Sequence, residues 1–209
     1  LEKIKTERLY FDGATGSLLQ SRGLPIGTPP ETWTLTHPDE ILRLHKEYLL
    51  AGADIIKTNT FGVNPLKYHN YKEYIREAVT ISKRAVGDAE DKYVAFDIGP
   101  LGRLLSPLGD LDFEDALSAF RDTIAAADGL GADLILIETM NDSYETKAAV
   151  LAAREASCLP IVVTNVYDSK GHLMTGATPE AMVALLEGMG ADAIGLNCSL
   201  GPRDLEGVV

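Results

Sequence analysis

This sequence predicts an α/β fold, specifically a TIM-type (β/α)8 barrel, and three observations lead to that expectation. Apolar runs alternate with amphipathic helical patterns along the whole chain. The runs are continuously apolar, as strands buried on both faces of a parallel sheet are, and do not alternate apolar with polar. Each run also closes on a polar or reactive residue where a strand hands over to the loop before its helix, the rim at which barrel enzymes carry their chemistry. A doubly wound open sheet fits the first two observations. It would gather its polar strand ends at one switch point, however, and would not repeat them on every strand.

The elements follow in order. "RLYFDG" is a short apolar run closing on Asp12. "PDEILRLHKEYLLAG" places Ile41, Leu44, Tyr48 and Leu49 on one helical face and stops at Gly52. "GADIIKTNTFG" is a second strand ending near Asn59, and "KYVAFDIGP" a third ending at Asp97. "DFEDALSAFRDTIAAADGLG" repeats the helical spacing with Phe113, Leu117, Phe120 and Ile124. "GADLILIETM" carries Glu138 at its end, and "LPIVVTNVY" ends near Asn165. "TPEAMVALLEGMG" opens a helix with Thr178 as N-cap and Pro179 behind it. "GADAIGLNC" then ends on Cys198. The phrase G-A-D recurs at Gly52, Gly131 and Gly190 and reads as a helix C-cap feeding a short loop. Six βα units are visible where a barrel has eight. The expectation is one domain over 1–209, truncated after the sixth strand and lacking the last two units, with open edges that invite self-association.

Composition excludes several functions. The 209 residues carry a formal charge of −12, which argues against a broad electrostatic footprint for nucleic acid or anionic lipid. No apolar segment approaches the roughly 20 residues of a membrane span. The 2 cysteines, Cys158 and Cys198, give no disulfide framework, and no secretory leader pattern is seen, so a cytoplasmic location is expected. Small-molecule chemistry remains.

Candidate residues cluster at the strand ends. In "DGATG", Gly13 and Gly16 allow close backbone approach, and their N–H groups suit an anionic head such as a carboxylate. The pentapeptide is neither a dinucleotide fingerprint nor a P-loop. Asp97 and Glu138 end apolar strands, where a carboxylate is either salt-bridged or functional. Cys198 is either a small core hydrophobe or, at the rim among amides and carboxylates, a thiolate ligand or nucleophile. Cys158 reads as core. His37, His45, His69 and His172 read as solvated, since no zinc-type spacing links them.

Taken together, "DGATG", "HPDEILRLHKEYLLAGADIIKTNTFG", "DIGPLGRLL", "ILIETM" and "GLNCSLGP", in this order, resemble the homocysteine S-methyltransferase family across essentially the whole chain. The resemblance implies a barrel that methylates homocysteine to methionine. It also implies Zn2+ held by three cysteines, one in a G-x-N-C strand end and two adjacent ones in a later G-G-C-C segment. Cys198 matches the first ligand and is the expected catalytic metal site. The pair has no counterpart here and is expected beyond Val209, so the chain alone is expected to be inactive. By the same resemblance Asp12 and Gly13 lie near the amino and carboxylate head of homocysteine and Glu138 holds its ammonium. Asn59, Asp97 and Asn165 follow as substrate-binding by strand-end position. The methyl comes from methylcobalamin held by another domain or from a small-molecule donor. Two alternatives stand beside this reading: a different barrel enzyme binding a pterin or phosphate, or a piece that only folds or assembles.

Overall fold

The structure, a computed structural model, describes residues 3, 6–206 and 208. Helices and strands alternate after a helical opening: α1 (Gly16–Ser21), α2 (Thr32–Thr36), α3 (Pro38–Leu50), β1 (Ile55–Lys57), α4 (Tyr71–Val86), β2 (Tyr93–Ile98), α5 (Phe113–Ala127), β3 (Leu134–Met140), α6 (Ser143–Ala156), β4 (Ile161–Asn165), α7 (Pro179–Gly188), β5 (Ala193–Leu196) and α8 (Pro202–Leu205). The strands are all parallel and lie in chain order, β1-β2-β3-β4-β5. That order is the wall of a barrel, because a doubly wound sheet starts in its middle and reverses. The first predicted strand, ending at Asp12, is a single bridge between Phe11 and Ile55, extended by a hydrogen bond from the Asp12 N–H to the Ile55 carbonyl at 2.9 Å. Among the described residues no strand joins β5 back to it.

Side chains alternate across the wall. Ile55, Ala95, Leu134, Leu136 and Val162 form an apolar cluster with Leu9, Tyr93 and Ala193, which fills the barrel interior. The residues of opposite parity, among them Phe96, Ile98, Ile135, Ile137, Ile161 and Val163, pack against the helices in the main core. With both faces buried, the strands read as unbroken apolar runs.

The G-A-D phrase is a register device as well as a helix stop. Gly52, Gly131 and Gly190 have φ of 105°, 104° and 77°, the left-handed conformation that glycine adopts without strain after a helix. The aspartate two residues on then reaches the strand before its own. Asp54 accepts from the Tyr10 N–H at 2.9 Å, Asp133 from Val94 at 2.8 Å and Asp192 from Ile161 at 2.8 Å. Each repeat thereby caps an otherwise unsatisfied strand start at the bottom of the wall.

Two expectations fail. Cys158 is exposed in the turn between α6 and β4, so it is not a core residue. His45 is buried and not solvated. It lies on the inner face of α3 against α4, where Ser82 Oγ meets its Nε2 at 3.2 Å, and burial pushes its pKa down to about 4. The unfolded chain takes up a proton near pH 6.5 and the folded chain does not until about pH 4. The stability due to neutral His45 is therefore fully present above pH 6.5 and is lost as the pH falls towards 4, by roughly 3 kcal/mol at 1.36 kcal/mol per unit. Urea titrations between pH 7 and 4 check this: a His45→Gln variant is expected to lose less stability over that window than the parent.

Candidate functional site

One layer above the apolar interior, at the C-terminal ends of the strands, the inward positions become polar: Lys57 on β1, Asp97 on β2, Glu138 on β3, Thr164 on β4 and Asn197 just after β5. Four of them, all but Thr164, line a cleft of about 440 Å3, bounded on one side by the Gly13–Gly16 turn and on another by Cys198. This is the rim that the strand ends predicted.

Lys57 is the only cation lining this cleft among the described residues, and it organises the acids. Its Nζ lies 3.3 Å from Glu138 Oε1, with Oε2 equally close, and 3.9 Å from Asp12 Oδ1, while its backbone N–H donates to Asp12 Oδ2 at 3.0 Å. Asp12 is buried beneath the lysine and does not line the cleft. Its pKa is pushed up to about 7 by burial, against the opposing pull of Lys57. Burial also raises the Asp97 carboxyl well above the usual carboxylate range, with the Glu138 charge adding to the shift. Burial lowers the Lys57 pKa, but the carboxylates of Asp97, Glu138 and Asp12 outweigh it and hold the ammonium above its ordinary value.

Threonines stitch the rim together. Thr58 Oγ1 accepts from the Asp97 N–H at 3.0 Å, and Thr60 Oγ1 donates to the Asp97 carbonyl at 2.7 Å. On β3 the register shifts between Ile137 and Met140, and Thr139 takes φ 63°, a left-handed conformation that a β-branched residue rarely adopts. Asn197 secures that bulge: its Oδ1 accepts from the Thr139 N–H at 3.2 Å and from Thr164 Oγ1 at 2.9 Å, while its Nδ2 donates to Thr139 Oγ1 at 2.8 Å. The same Nδ2 donates to Cys198 Sγ at 3.3 Å. Cys198 and Ser199 also have positive φ, 60° and 63°. Three strained non-glycine residues at one rim are the kind of cost that functional sites carry.

The predicted residues separate accordingly. Gly13, Asn59, Asp97, Glu138 and Cys198 line the cleft. Asn59 spends its amide on the Pro30 carbonyl at 2.9 Å and Thr34 Oγ1 at 3.0 Å, tethering the α2 segment. A side chain at Gly13 would come within 2.8 Å of the Tyr48 hydroxyl, which donates to the Ala14 carbonyl at 2.9 Å, so this glycine lets Tyr48 brace the turn. Asn165 lies outside the cleft: it faces α6, donating to the Met140 carbonyl at 3.2 Å and towards Thr146 Oγ1 at 3.4 Å. Lys57, Asn197 and the buried Glu31, which accepts from the Gly62 N–H at 2.6 Å, are site residues that the strand-end reading missed.

A zinc ion does not fit the described residues by themselves. Cys198 is exposed at the rim and offers one thiolate, whereas Cys158 lies in the α6–β4 turn. Among the described residues no three His, Cys, Asp or Glu side chains converge as a metal site would require.

Comparison with known proteins places this geometry. The chain is 30% identical over 227 aligned residues to methionine synthase of Mycobacterium leprae (strain TN), a match covering 98% of this chain and 19% of that protein. Methionine synthase of Mycobacterium tuberculosis (strain ATCC 25618 / H37Rv) is 31% identical with the same coverage. The chain thus spans about a fifth (19%) of the length of these relatives. The metallated form of the homocysteine methyltransferase MmuM from Escherichia coli shares the fold with a TM-score of 0.84 at 22% identity, over 100% of this chain and 83% of that one. Its apo form superposes with a TM-score of 0.79 over 99% of this chain. The sequence model described as homocysteine S-methyltransferase matches residues 9–209, and the chain belongs to that family.

Proposed function

We propose that this cleft binds homocysteine and presents its sulfur to a methyl donor, forming methionine. The observation that carries the reading is the meeting, at one barrel rim, of a lysine–carboxylate cluster suited to an amino-acid head and a strand-end thiol, in a chain of this family. The ammonium enters among the carboxylates of Asp97 and Glu138, with Asp12 acting through Lys57. The α-carboxylate faces the backbone of the Gly13–Gly16 turn, where the N–H groups of Gly13, Ala14 and Thr15 have no protein acceptor among the described residues. Asn59 borders this head group, and Asn165 supports the wall from behind.

In the transfer, the homocysteine thiol gives up its proton and the thiolate attacks the donor's methyl carbon. A sulfur–carbon bond forms as the donor–methyl bond breaks, and the bonding pair leaves with the donor. Cys198 is proposed as one thiolate ligand of Zn2+, with the other ligands supplied from outside the described residues. The donor is proposed to be methylcobalamin on another domain or a small methylated molecule. A cytoplasmic setting accords with this chemistry, and no described helix is long and apolar enough to cross a membrane. The family match over residues 9–209 supports homocysteine over the pterin- or phosphate-binding alternative. The test is methionine formation by the full-length protein given homocysteine and, in turn, methylcobalamin, S-methylmethionine and betaine. Turnover with at least one donor is expected, and none with any donor, in a protein that loads metal, would overturn the reading.

A further inference from the structure

Asn197 lines the cleft between its two ends, with Glu138 and Thr139 of β3 on one side and Cys198 on the other. An amide offers two N–H donors and an oxygen with two lone pairs, and here all are spent on protein. Nδ2 donates to Thr139 Oγ1 at 2.8 Å and to Cys198 Sγ at 3.3 Å, while Oδ1 accepts from the Thr139 N–H at 3.2 Å and from Thr164 Oγ1 at 2.9 Å. Its backbone N–H donates to the Asn165 carbonyl at 3.2 Å. One half-buried side chain thus ties the ends of β3 and β4 to the thiol beyond β5 and keeps no polar atom for a ligand. Such a residue sets the shape of a site and does not itself bind. The tie also sustains a costly backbone, Thr139 at φ 63° and Cys198 at φ 60°. Since β4 lies between β3 and β5 in the sheet, no ladder joins these two strands directly, and the amide spans the gap at the rim.

We propose that Asn197 is a positioning residue that fixes the separation between the β3 end of the site and the Cys198 end, and thereby makes the cleft select a thiol amino acid with two side-chain methylenes over one with a single methylene. This rests on the reading of the cleft as a homocysteine site. A cleft that grips both ends of a ligand measures its length only if those ends cannot close on each other. A ligand shorter by one carbon–carbon bond, about 1.5 Å, then leaves one end unpaired. With the tie removed the ends follow the shorter ligand, and discrimination falls.

The experiment compares the dissociation constants of homocysteine and cysteine on the full-length protein by calorimetry, with melting curves and zinc content on the same preparations. In the parent, homocysteine is expected to bind tighter by roughly tenfold or more, the worth of a methylene in a fitted site. Asn197→Ala is expected to bring that ratio within about threefold and to lower the melting temperature, because the Thr139 turn loses its support. Glycine takes a φ of 63° without strain, so the double variant Asn197→Ala, Thr139→Gly should regain much of the melting temperature while the ratio stays low. It is read against Thr139→Gly alone, in which the N–H of residue 139 and the Cys198 thiol both still meet Asn197. A parent-like ratio in Asn197→Ala, or a ratio that returns with stability in the double variant, overturns the proposal and leaves Asn197 a support of the bulge. Equal binding of the two thiols by the parent overturns it too, as does loss of zinc in Asn197→Ala, which would confine the residue's role to Cys198. Failure of the parent to bind either thiol brings down the functional reading itself, an outcome distinct from the others.

Discussion

Lys57→Met is expected to lower the stability of the folded chain by about 3–5 kcal/mol, the usual cost of removing one partner from a buried charged cluster. Among the described residues the lysine is the only cation in reach of Asp12 and Glu138, and both acids would be left in a poorly hydrated interior. Part of the loss is recovered by protonation, since burial already raises the Asp12 pKa to about 7. Destabilisation should therefore be larger at pH 8 than at pH 6. The double variant Asp12→Asn, Lys57→Met should regain a good part of it, because the amide oxygen still accepts the backbone N–H of residue 57 and one orphan charge is gone. Urea unfolding followed by circular dichroism reads all of this. A Lys57→Met protein within about 1 kcal/mol of the parent at pH 8 would mean that the cluster is hydrated and its charges are not coupled.

The second large effect is on activity. Cys198→Ala is expected to reduce methionine formation by the full-length protein roughly 100-fold or more, beyond about 2.7 kcal/mol of transition-state free energy, with stability changed by less than about 1 kcal/mol. The separation follows from exposure: Cys198 stands at the rim, outside the packed core, and its side chain's one hydrogen bond among the described residues comes from Asn197. Cys198→Gly sharpens the contrast. The residue's φ of 60° costs a side chain about 1 kcal/mol or more that glycine avoids, so this variant should be equally inactive yet no less stable than the alanine. Unfolding curves and methionine assays on the same preparations check both. Retained turnover in a folded Cys198→Ala protein would remove the thiol from the chemistry.

Much of this molecule was legible in the sequence, because apolar periodicity is dictated by burial. Strands such as "LILIE" are apolar at every position since one parity faces the barrel interior and the other the helices. The rim was legible for the same reason: a charge at the end of such a strand has no packing role. What strand-end reading lacked was parity. Counting by two from Ala95 and Leu136 leads inward to Asp97 and Glu138, and from Ile55 to Lys57, a residue passed over in favour of the asparagine beyond it. The same count puts Asn165 on the helix side, where it meets α6. The bulge at Thr139 was invisible, since nothing in "ETM" announces a positive φ and it depends on Asn197, fifty-eight residues away in the chain. His45 was misjudged because its helix buries a stripe that includes it, and Ser82 on α4 satisfies the ring. Cys158 was misjudged because composition alone favours burial of a free thiol, while its turn points outward.

The central claim is that homocysteine occupies the cleft between the Lys57 cluster and Cys198. A crystal structure of the full-length protein with saturating homocysteine tests it most directly. The account predicts density for one molecule in that cleft, its amino nitrogen within hydrogen-bond distance of the Asp97 or Glu138 carboxylate, its carboxylate against the Gly13–Gly16 turn and its sulfur towards Cys198. A bound homocysteine seated elsewhere, with the cleft holding only water, would contradict it.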